Sequence, residues 1–310
     1  MAGKLLTQRL VADEEGIARA VGLLRGGGIV ALPTETVYGL AARADSANAV
    51  ARIFAAKGRP SFNPLIVHLA GLAEAERYAE LPSVARALAA AHWPGPLTLV
   101  LPRRPGVALA PAISAGLPTI ALRSPAHPIM RAVLKALGLP LAAPSANASG
   151  SVSPTSAAHV LSTLDGRIDA VLDAGPCSGG LESTIVAVRS DGRTEQLRPG
   201  PIEVGAINDL AATIEAPGQL ARHYAPGKPV RLFAVAREAG EFLIGFGMVG
   251  GDVTLSASGD LSEAAARLYD CLHRGAAAPQ PRIAVAPVPD QGLGRAINDR
   301  LRRAATHEGR

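Results

Sequence analysis

Lys57 and Arg59 flank a single glycine in the stretch IFAAKGRPSFNPLIVHL, and Pro60 and Pro64 follow at once. Two cations on so short and stiff a turn could clamp an anion, because side chains that are already fixed lose less entropy on binding phosphate. The end of a helix would also attract Lys and Arg through its dipole, and both side chains would then be solvated without a role. The turn therefore suggests an anion site and does not establish one.

Five further polar segments are expected at the C-terminal ends of apolar strands. Ligands of open α/β sheets tend to bind where such loops converge. Turn chemistry alone would favour Ser, Thr, Asn and Pro at any one of these positions, so a single segment is weak evidence. Together with the Lys-Gly-Arg turn, the five segments predict a polyanion site. They are Thr34-Glu35-Thr36, Thr119 to Arg123-Ser124, Pro144-Ser145-Ala146-Asn147, Glu182-Ser183-Thr184 and Arg198-Pro199-Gly200.

Several common catalytic motifs are absent from the sequence. It has no GxxxxGK[ST] phosphate loop, no Rossmann glycine fingerprint between a strand and a helix, and no GxSxG nucleophile elbow. The seven histidines are scattered, and the two cysteines, Cys177 and Cys271, make neither a disulfide framework nor a metal cluster. We therefore expect neither a covalent nor a zinc mechanism, and no metal ligands.

The composition is typical of a globular protein outside the membrane. A chain of 310 residues that is 48% hydrophobic can bury a sizeable core in one large domain or two ordinary ones. No apolar run reaches the roughly 18 residues of a membrane span, and the N-terminus becomes acidic before a signal-peptide core could form. We expect a soluble, cytoplasmic protein. The net charge of +5 is compatible with anionic substrates or RNA and decides between neither.

Apolar strands alternate with helical segments over residues 1–208, and several strands adjoin directly. This pattern predicts an α/β fold with a large, twisted, mixed sheet and flanking helices. Residues 209–228 are rich in proline and glycine without a sustained period, which indicates a linker. Residues 229–310 predict a smaller α/β, Rossmann-like unit. The expected helices begin near Asp13 and after Ser46, or span 82–91, 126–137, 154–164 (begun by a Ser153-Pro154 cap), 261–274 and 293–305.

Seven motifs occur in one order along this chain: ALPTETVYGLAA, KGRPSFNPLIVH, WPGPLTLVL, TIALRSPAHP, APSANASGSVSPT, ESTIVAV and LRPGPI. In these motifs the chain resembles the YrdC/Sua5 family, the L-threonylcarbamoyladenylate synthases. Lys57, Arg59, Ser145 and Asn147 match the catalytic KxR…SxN tetrad of that family. The segments ARHYAPGKP and GLGRAINDRLRRAA resemble the longer Sua5 type, which adds a small C-terminal domain.

The resemblance implies an enzyme, a nucleotidyltransferase that joins L-threonine, bicarbonate and ATP. Its products would be pyrophosphate and threonylcarbamoyl-AMP, the activated intermediate for the t6A modification at position 37 of tRNA. The attack of a carbamate oxygen on the α-phosphate needs positioned reactants and neutralised charge, which is consistent with the missing nucleophile. Mg²⁺ is implied because ATP normally arrives with it. Contact with tRNA or with the transferase that consumes the product is a further implied partnership.

By the same resemblance, two groups of residues would hold the substrates. Arg123 is the natural partner of the threonine carboxylate, because its planar fork can grip both oxygens. Tyr224 would close over the nucleotide as part of a linker lid, and Arg59 is expected to face solvent on its loop. The implied ATP residues are Lys57, Arg59, Asn63, Thr119, Ser145, Ser153, Arg198 and Tyr224, with Asn147 beside Ser145; the implied threonine residues are Thr34, His68, Arg123 and Ser183.

Alternatives to these roles come from the residues themselves. His68 on an apolar strand could be a satisfied core histidine, Tyr224 could be a packing anchor, and Glu35 could be a base or a structural carboxylate. For the whole chain, the alternative is a double-stranded RNA-binding module without catalysis. Its weak point is the shortage of stacking aromatics, at 3% of residues. A carbamoyl-adenylate enzyme of hydrogenase maturation would need a cysteine-rich zinc segment, which two cysteines cannot form.

Overall fold

The computed structural model describes residues 6–204, 208–209, 215–217 and 223–306. Fifteen strands and eight α-helices are defined in this part of the chain, with one short 3₁₀ turn at Pro111–Ile113. The strands are β1 Gln8–Val11, β2 Val30–Leu32, β3 Gly39–Arg43, β4 Ile66–His68, β5 Leu97–Pro102, β6 Thr119–Arg123, β7 Leu141–Ala142, β8 Ala170–Asp173, β9 Thr184–Val188, β10 Thr194–Arg198, β11 Asn208–Asp209, β12 Val230–Arg231, β13 Glu241–Gly245, β14 Val253–Thr254 and β15 Arg282–Val285. The helices are α1 Glu14–Arg25, α2 Ala47–Lys57, α3 Leu72–Ala75, α4 Ser83–His92, α5 Pro128–Leu137, α6 Ala157–Leu164, α7 Leu261–Ala277 and α8 Leu293–Ala305.

The first eleven strands form one sheet in the order β1-β8-β2-β3-β7-β4-β6-β5-β9-β10-β11. Parallel pairs such as β4–β6 stand beside antiparallel pairs such as β5–β6, so the sheet is mixed. Side chains of β2 alternate between two apolar clusters: Val30 and Leu32 pack with α1 and α5, whereas Ala31 faces the other side. Burial on both faces explains the continuous apolar run that predicted this strand. The prediction of a large mixed α/β sheet is confirmed.

The first two helices, the second of which leads into the Lys-Gly-Arg turn, begin where their sequences predict. Asp13 caps α1 by accepting a hydrogen bond from the Gly16 N–H, and Ser46 caps α2 in the same way at Ala49. Helix α2 ends at Gly58, whose left-handed φ of 59° is the usual glycine conformation at a helix C-terminus. This end fixes Lys57 in the last helical turn and sends the chain back along the sheet.

One helix begins later than predicted, and several short strands were not predicted. Ser153-Pro154 does not begin α6: the cap is Ser156, whose side chain accepts from the His159 N–H. Ser153 instead lies three residues before this cap, and its hydroxyl donates a buried hydrogen bond to Glu182. Strands β1, β3, β11 and β14 were not predicted, because two to five residues without a sustained apolar alternation carry little β signal.

The five polar segments do not all follow their strands, so that expectation is wrong. Thr119 begins β6, and Glu182-Ser183 immediately precede β9. Pairing brings Glu182-Ser183 close to Arg123, because β5 runs antiparallel to β6 and parallel to β9, whereas Thr119 lies at the opposite end of β6. His68 pairs with Arg123 in the β4–β6 register, and paired residues share one face of a sheet. The polar side chains therefore gather on one face of the sheet.

A second, four-stranded sheet is built from the C-terminal residues in the order β12-β15-β13-β14, and its strand pairs are all parallel. Helices α7 and α8 contact each other and bury their apolar sides against this sheet. The smaller α/β unit is confirmed. Of the predicted linker 209–228, residues 210–214 and 218–222 lie outside the described residues, while β11 adds to the edge of the first sheet beside β10.

Candidate functional site

A cleft opens on the polar face of the first sheet, with about 520 Å³ of free space including its solvent-open mouth. An apolar floor lies beneath part of it, where Ile66, Ala121 and Ile185 belong to one buried cluster. The cleft is lined by Thr34, Val37, Gly39, Arg59, Ile66, His68, Arg123, Ala143, Pro144, Ser145, Glu182, Arg198, Pro217, His223 and Tyr224. A small-molecule site of this kind joins apolar walls to a few fixed polar groups.

Lys57 does not line the cleft and instead holds one of its walls. Its Nζ donates to the backbone carbonyls of Ser145 and Asn147, each at 2.6 Å, and the side chain is only 3% exposed. Burial, and to a lesser extent Arg59, hold the pKa of Lys57 well below its usual range. The amide of Asn147 in turn donates to the carbonyls of Ala148 and Ser151. Lys57 therefore fixes the Ser145–Asn147 segment across the end of α2.

Arg59 lines the cleft but is buried, so the expectation that it faces solvent is wrong. Its Nε donates to the Asn63 carbonyl at 3.1 Å, and its Nη2 donates to Asn63 Oδ1 at 2.7 Å and to the Pro64 carbonyl at 2.8 Å. Burial lowers the pKa of Arg59 to about 10, which leaves the guanidinium charged at neutral pH. Neutral oxygens alone make these contacts, so the positive charge remains uncompensated by them.

Arg198 is held in a similar way on the opposite wall. Its Nε and Nη2 donate to the carbonyl and the hydroxyl of Ser183, at 3.0 and 3.1 Å, and its Nη1 reaches the Pro217 carbonyl at 3.4 Å. The Ser183 hydroxyl also lies 2.7 Å from the Thr98 hydroxyl. Burial lowers the pKa of Arg198. Ser183 is thus fully buried behind the cleft and orients this arginine.

Arg123 differs, because a carboxylate holds it. Its Nη2 donates to Glu35 Oε1 at 2.6 Å, its Nη1 to the Thr36 hydroxyl at 3.0 Å, and its Nε to the Gly95 carbonyl at 3.3 Å. The second oxygen of Glu35 accepts from the backbone N–H groups of Ala126 and His127. Burial raises the pKa of Glu35, but Arg123 outweighs it and leaves this pKa below its usual value. Both oxygens are occupied, which favours the structural alternative for Glu35.

Thr34 and His68 complete this end of the cleft. The Thr34 hydroxyl donates to the Val37 carbonyl at 2.6 Å and accepts from the backbone N–H groups of Thr36 and Val37, which closes the turn after β2. Burial, followed by the charge of Arg123, lowers the pKa of His68 to about 3, so its imidazole is neutral. Its Nδ1 is buried without a hydrogen-bond partner in the described part of the chain. This unpartnered nitrogen favours a binding role over the alternative of a satisfied core histidine.

Residues from the C-terminal helices reach the far wall of the cleft at Glu182. One oxygen of this buried carboxylate accepts from the Ser153 hydroxyl at 2.6 Å; the other accepts from the Tyr269 hydroxyl at 2.7 Å and from Arg300 Nε at 3.1 Å. Burial raises the pKa of Glu182, but the charges of Arg300 and Arg198 and the two hydroxyl hydrogen bonds together outweigh it and bring this pKa to about 2. Tyr224 is fully buried beside this cluster, with its hydroxyl unpartnered among the described residues.

The predicted site residues fall into three positions. Thr34, Arg59, His68, Arg123, Ser145, Arg198 and Tyr224 line the cleft. Lys57, Asn63, Asn147, Ser153 and Ser183 lie directly behind its walls and hold lining residues through the hydrogen bonds described above. Thr119 stands apart from the lining, at the start of β6 and opposite Pro102, although its hydroxyl is buried without a partner in the described chain.

Two cleft residues and their supports were missed as site residues. His223 lines the cleft next to Tyr224, and Glu182 was noticed only as part of a polar loop. Arg300 and Tyr269 are fully buried against that loop. For His223 the signal was its position beside Tyr224 in the motif ARHYAPGKP. For Arg300 the only signal was the basic run near the C-terminus, which on its own is typical of a solvated helix face.

The burial of the cations separates two kinds of function. Arg59, Arg123 and Arg198 are 9%, 4% and 4% exposed, so they face a narrow cleft rather than open solvent. A duplex RNA surface needs cations that reach phosphates outside the protein. No helix in the described ranges is long and apolar enough to cross a membrane. The mixed α/β fold and this cleft of arginines and hydroxyls define an enzyme that acts on small anionic substrates.

Comparisons with known proteins identify the family. Residues 22–200 match the family model Sua5/YciO/YrdC, described as telomere recombination, and residues 185–306 match the threonylcarbamoyl-AMP synthase C-terminal domain. The threonylcarbamoyl-AMP synthase of Bacillus subtilis is 41% identical over 97% of this chain and 96% of its own length. The chain belongs to the Sua5/YrdC family of threonylcarbamoyl-AMP synthases.

Solved structures agree with this assignment. The crystal structure of Pyrococcus abyssi Sua5 complexed with L-threonine covers 97% of each chain, with a TM-score of 0.88 and 36% identity. Escherichia coli YciO covers 65% of this chain and 98% of its own, with a TM-score of 0.56 and 24% identity, so it supports the fold alone. The expected family and fold, a YrdC-like sheet followed by a C-terminal unit, are both confirmed.

Proposed function

We propose that this chain converts L-threonine, bicarbonate and ATP into threonylcarbamoyl-AMP and pyrophosphate, the activating reaction for t6A modification of tRNA. The threonine amine and bicarbonate form a carbamate and release water. A carbamate oxygen then attacks the α-phosphate of ATP, and pyrophosphate leaves. The observation that carries the proposal is that three buried arginines line one cleft. Arg59 and Arg198 are held only by neutral oxygens, whereas Arg123 is paired with a carboxylate. Such fixed charges can stabilise the transition state without an enzyme nucleophile.

The phosphates of ATP are assigned to the end of the cleft lined by Arg59 and Arg198. Both guanidinium groups are preorganised by backbone carbonyls, so little reorganisation accompanies binding. The Ser145 hydroxyl lies on the same lining, and Lys57 would act by holding the Ser145–Asn147 segment. Asn63 would support this end by holding Arg59, and Ser153 would support it through Glu182. Thr119 stays a prediction for the nucleotide, since only its shared face with Arg123 supports the role.

Threonine is assigned to the end formed by Arg123, His68 and Thr34. The fork of Arg123 would take the substrate carboxylate, while Glu35 limits the net charge there and suits a zwitterion. The neutral His68 has a free Nδ1 lone pair or N–H for the substrate amine or hydroxyl. A hydroxyl or amide would read the threonine hydroxyl better than apolar contacts, and Thr34 would serve this role. Ser183 stays a prediction for threonine, because its hydroxyl contacts Arg198 and Thr98.

A protein-bound Mg²⁺ does not fit the carboxylates of this cleft. Both oxygens of Glu35 and both oxygens of Glu182 already accept hydrogen bonds from protein donors. No group of three or more metal-ligating side chains occurs among the described residues. We therefore propose that any Mg²⁺ is bound by the triphosphate of ATP as part of the substrate.

The division of labour along the chain is proposed on the same basis. Residues 1–208 would form the catalytic domain, 209–228 the linker and lid, and 229–310 the C-terminal domain. The burial of Tyr224 beside the cleft supports a lid that is closed over the nucleotide end. Product transfer to a tRNA-modifying partner would place the protein in the cytoplasm, and both this location and the direct contact with tRNA or that partner stay predictions.

Pyrophosphate release tests the proposal. The full chain is incubated with ATP and Mg²⁺, and threonine and bicarbonate are omitted one at a time. Release that needs both, and that serine and valine do not support, is the expected result. Release without threonine would contradict the synthase and indicate a simple ATP hydrolase. No release under any combination, together with measurable binding of duplex RNA, would overturn the enzyme in favour of the RNA-binding module.

A further inference from the structure

A buried polar cluster joins the C-terminal helices to the wall of the cleft. Arg300 on α8 and Tyr269 on α7 both contact the same oxygen of Glu182, across 118 and 87 residues of chain. The other oxygen of Glu182 accepts from Ser153, which lies directly behind the cleft. Glu182 itself lines the cleft. The cluster therefore connects two helices outside the first sheet to the proposed nucleotide end.

Tyr224 is held by the same cluster. Its ring lies 5.5 Å from the guanidinium carbon of Arg300 and 5.6 Å from the ring of Tyr269. A cation over an aromatic face is attracted to it, and the attraction grows where water is excluded. Tyr224 also adopts a left-handed φ of 64°, which is unusual for a bulky residue and must be sustained by its surroundings. Arg300 thus touches both Glu182 and the ring that covers the cleft.

Stability does not account for this arrangement. Arg300 is fully buried, and its Nη2 has no hydrogen-bond partner among the described residues. Burying a guanidinium with one unsatisfied nitrogen is unfavourable, and a buried ion pair is weak evidence of stabilisation in general. A carboxylate with three donors, by contrast, has a fixed orientation. What the cluster achieves is a defined position for Glu182, Ser153 and Tyr224.

We infer that Arg300, together with Tyr269, is a positioning residue of the active site, through which the C-terminal helices set the geometry of the nucleotide end of the cleft. Arg300 need not touch ATP: it orients Glu182 and the ring of Tyr224, and Glu182 orients Ser153. The threonine end contains no member of this cluster, because Arg123 is held by Glu35, Thr36 and Gly95. This inference rests on the proposed function, and it predicts an effect on one substrate only.

The test measures KM for ATP and KM for threonine separately in the full-length Tyr269→Phe, Arg300→Lys and Arg300→Ala variants. Tyr269→Phe deletes one hydroxyl and keeps the ring, so the fold should survive. We expect it to raise the KM for ATP about three- to tenfold, which corresponds to the net contribution of one ordinary hydrogen bond. Arg300→Ala leaves the Glu182 charge without its ion-pair partner and should raise it at least about tenfold. Arg300→Lys should recover little of this, because an ammonium lacks the planar fork.

Arg302→Ala is the matched control, since Arg302 is exposed on the same helix. It should leave both KM values and the melting temperature unchanged. A double variant, Tyr269→Phe with Ser153→Ala, tests the route through Glu182: the two effects on the KM for ATP should be less than additive. Full additivity would overturn the route.

The outcomes separate this inference from the proposed function. If wild-type protein releases pyrophosphate only with threonine and bicarbonate, the function holds. If folded Tyr269→Phe and Arg300→Lys then keep the wild-type KM for ATP, or change the KM for threonine as much, the positioning role is wrong. If wild-type protein shows no such reaction, the proposed function itself fails. Arg300→Ala that melts early while Tyr269→Phe behaves as wild type would also overturn the inference and leave Arg300 a structural residue.

Discussion

The two ends of the cleft hold their arginines in different ways. Arg59 and Arg198 donate only to neutral oxygens: the carbonyls of residues 63, 64, 183 and 217, the Asn63 amide and the Ser183 hydroxyl. Arg123 donates to the carboxylate of Glu35. The first pair therefore has no carboxylate among its hydrogen-bond acceptors, and the nearby charge of Glu182 that acts on Arg198 is itself paired with Arg300. The third arginine, by contrast, is nearly neutralised where it stands.

This difference shows how one cleft can take two substrates of different charge. A triphosphate suits guanidinium groups that are fixed by neutral acceptors, since each charge remains available. An amino acid carries one carboxylate and one ammonium or amine, and a paired arginine still offers its donors without a large excess of charge. The identity of the holding group thus sets the net charge of each end, although all three residues are arginines.

Loss of Arg59 is expected to have the largest effect. Arg59→Ala removes an uncompensated cation from the phosphate end and should lower turnover about 100- to 1000-fold, the range for a lost transition-state donor. The residue is buried and holds the Asn63-Pro64 turn, so the free energy of unfolding should also fall by about 1–3 kcal/mol. Pyrophosphate release and denaturant unfolding measure the two effects. Exposed Arg103→Ala is the control, and turnover like that of wild type in Arg59→Ala would contradict the assignment.

Arg123→Lys should have the next largest effect, and on threonine alone. A single ammonium cannot reproduce the bidentate fork, so the KM for threonine should rise about 10- to 100-fold while the KM for ATP stays unchanged. Steady-state kinetics with each substrate varied in turn provide the measurement. An unchanged threonine requirement would remove Arg123 from the threonine end and with it the contrast between the two ends.

Glu35→Gln converts the threonine end to the type of the phosphate end, because Arg123 would then have only neutral acceptors. The variant should gain affinity for simple anions, so inorganic phosphate should compete with threonine about tenfold more strongly than in wild-type protein. Inhibition of pyrophosphate release by phosphate at several threonine concentrations measures this. Exposed Glu80→Gln is the control for net charge. Equal inhibition of Glu35→Gln and wild type would show that Glu35 does not set the charge of this end.

A smaller effect concerns the pH dependence of stability. The pKa of His68 is about 3 in the folded chain and about 6.5 when unfolded, so the unfolded state binds the proton first as pH falls. Stability from the neutral imidazole is therefore present above pH 6.5 and is lost progressively down to pH 3. Between pH 7 and pH 5.5 this amounts to about 1 kcal/mol. Over this interval, His68→Gln should lose about 1 kcal/mol less stability than wild type or the half-buried control His92→Gln. Urea unfolding at both pH values measures the free energy of unfolding of each protein. An identical loss in all three would place His68 in contact with water.

The local structure was largely predictable because it depends on short-range chemistry. Asp13 and Ser46 stand immediately before periodic apolar segments and cap them, and the apolar runs of β2, β5 and β9 are buried on both faces as their sequences indicate. Ser156 rather than Ser153 caps α6, and the Ser153 hydroxyl instead donates to Glu182, 29 residues away in the chain. A contact of this kind has no local signature.

Seven of the residues that line the cleft were named from the sequence motifs, but the way the cleft is assembled was not predictable. Lys57 holds carbonyls of residues 145 and 147, and Arg198 holds one of residue 217; backbone carbonyls exist at every position and give no sequence signal. The ion pair of Glu182 with Arg300 spans 118 residues and depends on how α8 packs. Pairing across such distances follows from tertiary packing, which a single sequence does not reveal.

The most direct test of the account is binding rather than turnover. Titration calorimetry of ATP and of threonine, each into wild-type protein, Arg59→Ala and Arg123→Lys, measures both ends of the cleft independently. The account predicts a crossed result: Arg59→Ala loses ATP affinity and keeps that for threonine, and Arg123→Lys does the reverse. If each folded variant instead lost both ligands equally, or if the losses were exchanged, the two-ended cleft would be wrong.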